Sequence, residues 1–393
     1  LRFPGFESEW EVTELNELGE FLGGGTPSSS NEDFWRGNIP WVSSSDLSEG
    51  DIHSVNISRF ITEDAISNSA TKLCSAPIIL IVSRVGVGKV AYSEKSLCTS
   101  QDFLNIINFK CNGVFLSYLL SVEMKKAASA VQGTSIKGIS SIEIKSKKLF
   151  TPKENEQQKI AFFLSLVDER ITTQNKIIEE LSVLKNTLAK RIFSQDLRFK
   201  DDKGNEFQKW QIKKLQDICE IIGGGTPETN KTEYWNGNIQ WFTPTEIKSN
   251  YVSKSERTIS ELGLKNSSAK LLPKGTILLT TRATIGEASI ALEECTTNQG
   301  FQSLITKEDC NNIFLFNWLK MNKYELAKRA NGSTFAEISK SEIEKIEINF
   351  PSIDEQMKIA DFLLSIDSKV DIETQLLKKL EEQKKFLLQE MFI

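Results

Sequence analysis

Glu156-Gln157-Gln158-Lys159-Ile160-Ala161 returns about 200 residues later as Glu355-Gln356-Met357-Lys358-Ile359-Ala360, and each copy opens a long run free of internal proline and glycine. Beyond the first copy the apolar residues fall at Ile160, Leu164, Val167, Ile171, Ile178, Leu181, Leu188 and Ile192; beyond the second, at Ile359, Leu363, Ile366, Val370, Leu377, Leu380 and Leu387. These gaps are multiples of an alternating four-three spacing, the seam of a coiled coil. Pro152 or Pro351 precedes each run, and Thr151 with Glu154 and Ser352 with Glu355 fit reciprocal N-terminal caps. At 1.5 Å per residue, about 38 residues make a rod of roughly 57 Å. Gln174 and Glu373 interrupt the two seams at equivalent positions, either as ordinary solvated positions or as polar residues that fix register. Both rods belong to one chain, so they are expected to pair with each other, antiparallel, about a pseudo-two-fold axis. Pairing between two copies of the chain is the competing arrangement.

The rest of the chain repeats with the same period. Gly23-Gly24-Gly25-Thr26-Pro27 returns as Gly223-Gly224-Gly225-Thr226-Pro227, and Trp35, Gly37, Asn38, Ile39 and Trp41 return as Trp235, Gly237, Asn238, Ile239 and Trp241. Ser83-Arg84-Val85-Gly86-Val87-Gly88 faces Thr281-Arg282-Ala283-Thr284-Ile285-Gly286. Solenoid units run about 20–50 residues, so this is a duplicated domain with its own core. Short apolar runs between Gly, Pro, Ser and Asn clusters predict strands and turns. Pro77–Val82 with Val90–Tyr92 reads as a hairpin with Arg84 to Lys89 in its turn, and Thr276–Thr280 with Ala288–Ala291 is its equivalent. Val114–Lys126 and Ile313–Arg329 read as helices. The expected fold is mixed α/β: a globular head over 1–150, a rod over 151–197, a second head over 198–349 and a second rod over 350–393.

Composition narrows the function. Net charge is −5, and Lys plus Arg against Asp plus Glu stands at 14 to 17, 7 to 7, 21 to 20 and 6 to 9 across those four segments. No segment is strongly basic, so any DNA binding works through local patches, with much of the electrostatic attraction supplied by partners. No run approaches the roughly 20 apolar residues of a membrane span, and no secretory signal pattern opens the chain. Leu1 is not a Met, which implies that a short N-terminal stretch preceded it. The six cysteines form no C-x-x-C pair, as expected of free buried thiols in a reducing cytoplasm. His53 is the single histidine, which argues against a zinc site and against a Ser/His/Asp or Cys/His relay.

Three fragments imitate catalytic motifs and fall short. Phe21-Leu22-Gly23-Gly24-Gly25 matches a methyl-donor loop, F-x-G-x-G, but the second copy has Ile221, and no Pro-Pro pair exists for an amino-methyltransferase motif. Gly86-Val87-Gly88-Lys89 is half a P-loop, with Val90 where a hydroxyl must hold magnesium and Glu287 in place of the lysine in the second copy. Glu143-Ile144-Lys145 lacks the Pro-Asp partner of a nuclease motif. The chain reads as a binder.

The ordered, duplicated set resembles the specificity subunit of type I restriction-modification enzymes. It comprises Gly-Gly-Gly-Thr-Pro, Trp-x-Gly-Asn-Ile-x-Trp and Ser/Thr-Arg-x-x-x-Gly. It continues with Gln101 or Asn298-Gln299, then Gly133-Thr134-Ser135 or Gly332-Ser333-Thr334 ahead of Ile139-Ser140 or Ile338-Ser339. Pro-x-x-x-Glu-Gln-x-x-Ile-Ala closes it. The resemblance implies two target-recognition domains, each reading one half of a split, asymmetric duplex site. It implies helices that set the spacer and dock modification (methyltransferase) subunits, which are joined by restriction (translocase/nuclease) subunits. It also implies a non-catalytic cytoplasmic chain with no cofactor of its own, S-adenosylmethionine, ATP and Mg residing in the partners. A fragment of a fused restriction-methylation enzyme, and a scaffold whose heads bind protein, are the rival readings.

Candidate DNA contacts follow from place in the repeat and side-chain chemistry, since phosphate contacts position a protein and base edges specify it. Arg84 and Arg282 occupy equivalent turns, as groove or phosphate contacts or as structural arginines; Lys89 offers a phosphate contact in the first head only. Thr26 and Thr226 serve either a turn or a phosphate. Ser43, Ser44 and Ser45, with Thr243 and Thr245, follow a tryptophan, differ between copies, and suit base readout or a solvated loop. Gln132 and Thr134, with Ser333 and Thr334, stand at loop tips, and Lys137 is replaced by Ala336. The four tryptophans Trp35, Trp41, Trp235 and Trp241 are expected in the core.

Overall fold

The computed structural model describes residues 1–131, 138–330 and 337–392. They form two compact units, Leu1–Lys176 with Gln375–Ile393, and Ile177–Thr374.

The first unit runs β1 (Glu11–Glu14), β2 (Glu20–Gly23), β3 (Ile39–Val42), β4 (Arg59–Ile61), α1 (Glu63–Ser67), β5 (Leu73–Cys74), β6 (Ile78–Val82), β7 (Val90–Ser93), β8 (Leu97–Thr99), β9 (Phe103–Ile107), α2 (Gly113–Val131), α3 (Ser141–Lys145), β10 (Lys148–Thr151) and the start of α4 (Glu154–Phe193). Its sheets have the orders β2-β9-β6-β7, β4-β3-β8-β5 and β1-β10. Strand β6 is buried at every position because its two faces serve two cores. Ile79 and Ile81 pack with Phe115 and Leu164, while Ile78, Leu80 and Val82 pack with Val42 and Leu97. The expected hairpin is β6 with β7, with Ile81 opposite Val90.

The second unit carries the end of α4, then β11 (Gln211–Lys214), α5 (Leu215–Ile218), β12 (Cys219–Gly223), β13 (Trp235–Phe242), β14 (Tyr251–Val252), β15 (Arg257–Ile259), α6 (Glu261–Lys265), β16 (Ile277–Thr280), β17 (Ala288–Ala291), β18 (Cys295–Thr297), β19 (Phe301–Thr306), α7 (Asn312–Met321), α8 (Lys323–Lys328), α9 (Lys340–Glu344), β20 (Glu347–Phe350) and the start of α10 (Ile353–Met391). Its sheets, β12-β19-β16-β17-β14, β15-β13-β18 and β11-β20, follow the first unit's plan, with β14 added at an edge and the β5 position reduced to a single bridge, Leu272 to Cys295. One expected helix is two here. At Asn322 the backbone leaves helical geometry (φ −102°, ψ 14°), and the side-chain amide donates to the Trp318 carbonyl at 2.8 Å, closing the end of α7.

Both expected rods are single helices, and within each unit they pair antiparallel. In the first unit Leu387, Met391 and Phe392 of the C-terminal segment share a core with Ile160 and Leu164. In the second, Ala189 and Ile192 share one with Ile359, Ala360 and Leu363. Ion pairs confirm the direction: Lys384 Nζ lies 2.5 Å from Asp168, and Lys185 Nζ 2.6 Å from Asp367. From Asp168 to Lys185, and from Lys384 back to Asp367, the step is the same 17 residues. Counted from the Glu-Gln motif that opens each rod, the two aspartates hold one repeat position and the two lysines another.

The opening Glu-Gln pairs act differently from the caps expected. Glu355, fully buried, accepts from Arg198 Nε at 3.1 Å, Arg198 Nη2 at 2.7 Å and Trp210 Nε1 at 2.9 Å. Glu156 accepts two 2.7 Å bonds from Arg2. Held this way, Glu355 cannot reach back to close its box, although Ser352 keeps its half of the cap by accepting the Glu355 N–H at 3.5 Å; Thr151, whose expected partner was Glu154, ends strand β10. Each arginine sits in a Leu-Arg-Phe segment, Leu1-Arg2-Phe3 or Leu197-Arg198-Phe199, whose Phe meets Phe163 or Phe362 edge to face at 5.4 Å. Gln157 and Gln356 accept from the backbone N–H of Asn112 and Asn311, both at 2.9 Å, and donate to the carbonyls of Pro152 and Pro351. The motif thus joins each rod to the first turn of a head helix.

The head-rod joints differ where a head helix faces the rod. In the first unit the Tyr118 hydroxyl donates to Asp168 at 2.6 Å, and His53 Nε2 lies 3.2 Å from that hydroxyl. Burial, then Asp168, raises Tyr118 above the ordinary phenol range. The second unit has Asn317 at the equivalent position and a pocket of about 180 Å³ lined by Lys185, Asn250, Asn317, Lys320 and Asp367. Burial, then the neighbouring Lys185, lowers the Lys320 ammonium from its ordinary value. Asn317→Tyr is expected to fill this pocket, aim its hydroxyl at Asp367 and stabilise the unit by about 1 kcal/mol. Thermal unfolding checks this, and a lower midpoint would mean that the pocket is too small for a phenol.

Candidate nucleic-acid interface

The glycine and tryptophan motifs of each copy form one frame. The indole N–H of Trp41 donates to the Gly25 carbonyl and that of Trp241 to the Gly225 carbonyl, both at 2.9 Å. Trp35 and Trp235 donate to Ser28 and Glu228 at 3.1 and 3.2 Å, and in each copy the two rings meet edge to face with centroids 5.0 Å apart. Trp41, Trp235 and Trp241 are buried as expected; Trp35 is only half-buried. A side chain at Gly24 or Gly224 would strike the carbonyl oxygen of Ser100 or Asn298, so the strand passes there only as glycine. The Thr26 hydroxyl donates to Gln101, and that of Thr226 to Gln299 at 2.5 Å, tying the same frame to the next motif.

On each frame two loops converge. Ser43 and Thr243 each begin a one-turn helix, and their N–H and hydroxyl both donate to Asp46 or Glu246 at 2.6–3.0 Å. Ser45 and Thr245 hydroxyls lie 2.8 and 3.1 Å from those of Ser43 and Thr243. The β6-β7 hairpin reaches this turn through Lys89, whose ammonium donates to the Ser44 and Leu47 carbonyls at 3.0 and 2.8 Å. Lys89 therefore clamps hairpin to turn, a structural use that the sequence did not suggest. In the second unit the Thr284 hydroxyl donates to the Pro244 carbonyl at 3.3 Å.

Arg84 is exposed and has no ion-pair partner among the described residues, whereas Arg282 meets Glu337 at 2.9 Å. Beside each arginine the chain is pinned again: Ile139 N–H donates to the Ser83 carbonyl at 2.8 Å, and Ile338 N–H to that of Thr281 at 3.2 Å. Ser140 and Ser339 then cap α3 and α9. Gln132, Thr134, Lys137, Ser333 and Thr334 lie outside the described residues. The structure brings Ser43, Ser44, Ser45 and Lys89 together in one unit and Thr243 and Thr245 in the other, with Arg84 and Arg282 on the hairpins that touch those turns through Lys89 and Thr284. Thr26 and Thr226 belong to the supporting frame.

Two residues escaped the sequence reading. Arg59 and Arg257 start equivalent strands, β4 and β15, and lie over the tryptophans: Arg59 is 4.6 Å above Trp41, and Arg257 is 3.6 Å above Trp235. Their signal was an arginine two residues before a buried isoleucine, Ile61 or Ile259, in both copies.

Among the described residues no group of three His, Cys, Asp or Glu side chains is placed to hold a metal ion, and no helix is long and apolar enough to cross a membrane. The cysteines are free; burial pushes the Cys74 thiol up to about 11 and Cys98 to about 12.

Residues 7–183 and 208–382 each match the type I restriction modification DNA specificity domain. The chain belongs to that family. It is 41% identical over 186 residues to the type I restriction enzyme MjaIX specificity subunit of Methanocaldococcus jannaschii, covering 46% of this chain and 43% of that protein. It is 26% identical over 400 residues to a putative MjaX specificity subunit of the same organism, covering 97% and 92%. The crystal structure of a type I restriction-modification S subunit from M. genitalium shares the fold, with a TM-score of 0.59 at 18% identity over 100% of this chain and 97% of that one. The specificity-subunit family is the DNA-recognition, non-catalytic component of these systems, consistent with the incomplete catalytic motifs.

Proposed function

We propose that each head reads one half of a bipartite, asymmetric duplex site and that the paired helices set the number of unread base pairs between the halves. The observation that carries this reading is a shared frame with unlike loops. Both units build the same glycine-tryptophan scaffold, yet Ser44-Ser45-Asp46 stands where the other has Pro244-Thr245-Glu246, and Arg84, without an ion pair among the described residues, where the other has the Arg282–Glu337 pair. Two such surfaces suit two different half-sites, because polar side chains near a groove discriminate by their donor and acceptor patterns. Modification subunits dock on the helices and restriction subunits join them; methyl transfer, with S-adenosylmethionine, ATP and Mg, belongs to those partners. The acidic balance of the chain favours tight duplex binding only in that company.

Methylome sequencing of a cell expressing this chain with its modification subunit tests the proposal. A single two-part motif with unlike halves and a fixed gap is expected; a continuous or palindromic motif would sink it. A deletion tests the spacer. Removing 169–175 and 368–374 together keeps Asp168 opposite Lys384 and Lys185 opposite Asp367. It shortens each helix by about 10 Å, or about three base pairs of duplex. The expected motif keeps both halves and loses about three unread positions; an unchanged gap would show that the helices do not measure it.

A further inference from the structure

The paired arginines Arg59 and Arg257 are equivalent in sequence but not in state. In the first unit Asp46 accepts from Ser43 and also from Arg59, whose guanidinium donates in addition to the Ser43 hydroxyl at 2.6 Å. That arginine is neutralised and tied into the turn. In the second unit the carboxylate is one methylene longer. Glu246 Oε2 accepts from Thr243, while its other oxygen accepts the backbone N–H of Glu256 at 2.7 Å. Both carboxylate oxygens are thus occupied by other donors, and the Arg257 side chain makes no hydrogen bond or ion pair among the described residues. The guanidinium of this exposed residue instead lies over the Trp235 ring, its Cζ 3.6 Å from the centroid, with that of Trp241 at 5.7 Å.

We infer that Arg257 is a specificity-determining residue of the second head, presented by Trp235 to a guanine edge in the major groove. The inference rests on the reading of the heads as half-site readers. A guanidinium stacked on an indole is held by cation-π attraction without using its in-plane N–H groups. Those donors form the fork that matches guanine O6 and N7. The stack fixes the side chain in advance, so less rotamer freedom is lost on binding. Arg257 also adjoins the Thr243–Glu246 turn through the Glu256 N–H, which places it beside the polar loop already assigned to readout. Arg59, locked by Asp46, contributes no such fork in the first head.

Selection of duplexes from a random library by the chain together with its modification subunit decides the matter. For Arg257→Ala, the first half-site and the gap stay as in the unmodified protein. Discrimination at one guanine of the second half falls roughly ten- to hundred-fold. Arg257→Lys, which keeps the charge over the ring but not the fork, loses the same preference, so the result does not depend on the alanine variant folding well. Arg59→Ala leaves the base preferences of the first half unchanged. An intact guanine preference in both Arg257 variants overturns the proposal, as does uniform weakening across all sequences, which marks a phosphate contact. If the unmodified protein enriches no two-part motif, the half-site reading itself fails and the proposal falls with it.

Discussion

Glu355→Ala is expected to destabilise the second unit by about 3–5 kcal/mol, the cost of leaving a charged partner uncompensated at a largely buried site. Glu355 is fully buried and accepts three bonds, two from Arg198 and one from Trp210. Alanine orphans all three donors at once, and the Phe199–Phe362 contact held by the same segment loosens with them. Glutamine does not rescue, because one amide oxygen cannot serve three donors and its NH₂ faces a guanidinium. The midpoint of thermal unfolding should fall by about 10 °C or more. Hydrogen exchange should accelerate first across Leu197 to Lys214. A change no larger than that of an exposed control such as Glu293→Ala would show that the clasp contributes nothing. Glu156→Ala should cost less, because Arg2 is more exposed, with 32% of its side chain accessible against 25% for Arg198.

The second large effect is expected at the rod seam. Asp168 and Lys384 are both buried, and Lys384 also donates to the Gly50 carbonyl, so the pair stitches the rods to each other and to the head loop. Lys384→Met keeps the packing volume but leaves a buried carboxylate with the Tyr118 hydroxyl, at a cost of about 3–5 kcal/mol. Adding Asp168→Asn to that variant removes the stranded charge and should recover most of the loss, a coupling of about 2 kcal/mol or more. Chemical denaturation of the single and double variants reads this directly. Strict additivity would mean that the two side chains do not sense each other.

The rods were legible because a seven-residue pattern without proline or glycine has few other solutions, and every predicted seam residue is buried or half-buried. The β6-β7 and β16-β17 hairpins were legible for a related reason: apolar runs bounded by glycine-rich turns. The sheet orders were not, since nothing local in Phe103–Ile107 says that it pairs with both β2 and β6. The glycine and tryptophan motifs were visible as repeats, but not as one hydrogen-bonded frame, because the indole-carbonyl bonds span 16 residues. Lys89 looked like a free cation in a turn. Only the folded chain shows the Ser44 and Leu47 carbonyls waiting for it. The Leu-Arg-Phe clasp was present twice in the sequence, yet the glutamates it grips lie more than 150 residues away.

The reciprocal seam has an evolutionary consequence. Each repeat carries an aspartate early in its rod and a lysine late in it, and each meets its opposite number on the other repeat. One repeat alone therefore holds both sides of the handshake, so an ancestral single-head polypeptide could close on a twin of itself. In a chain of two such repeats, either head can be exchanged while the Asp–Lys joint stays untouched.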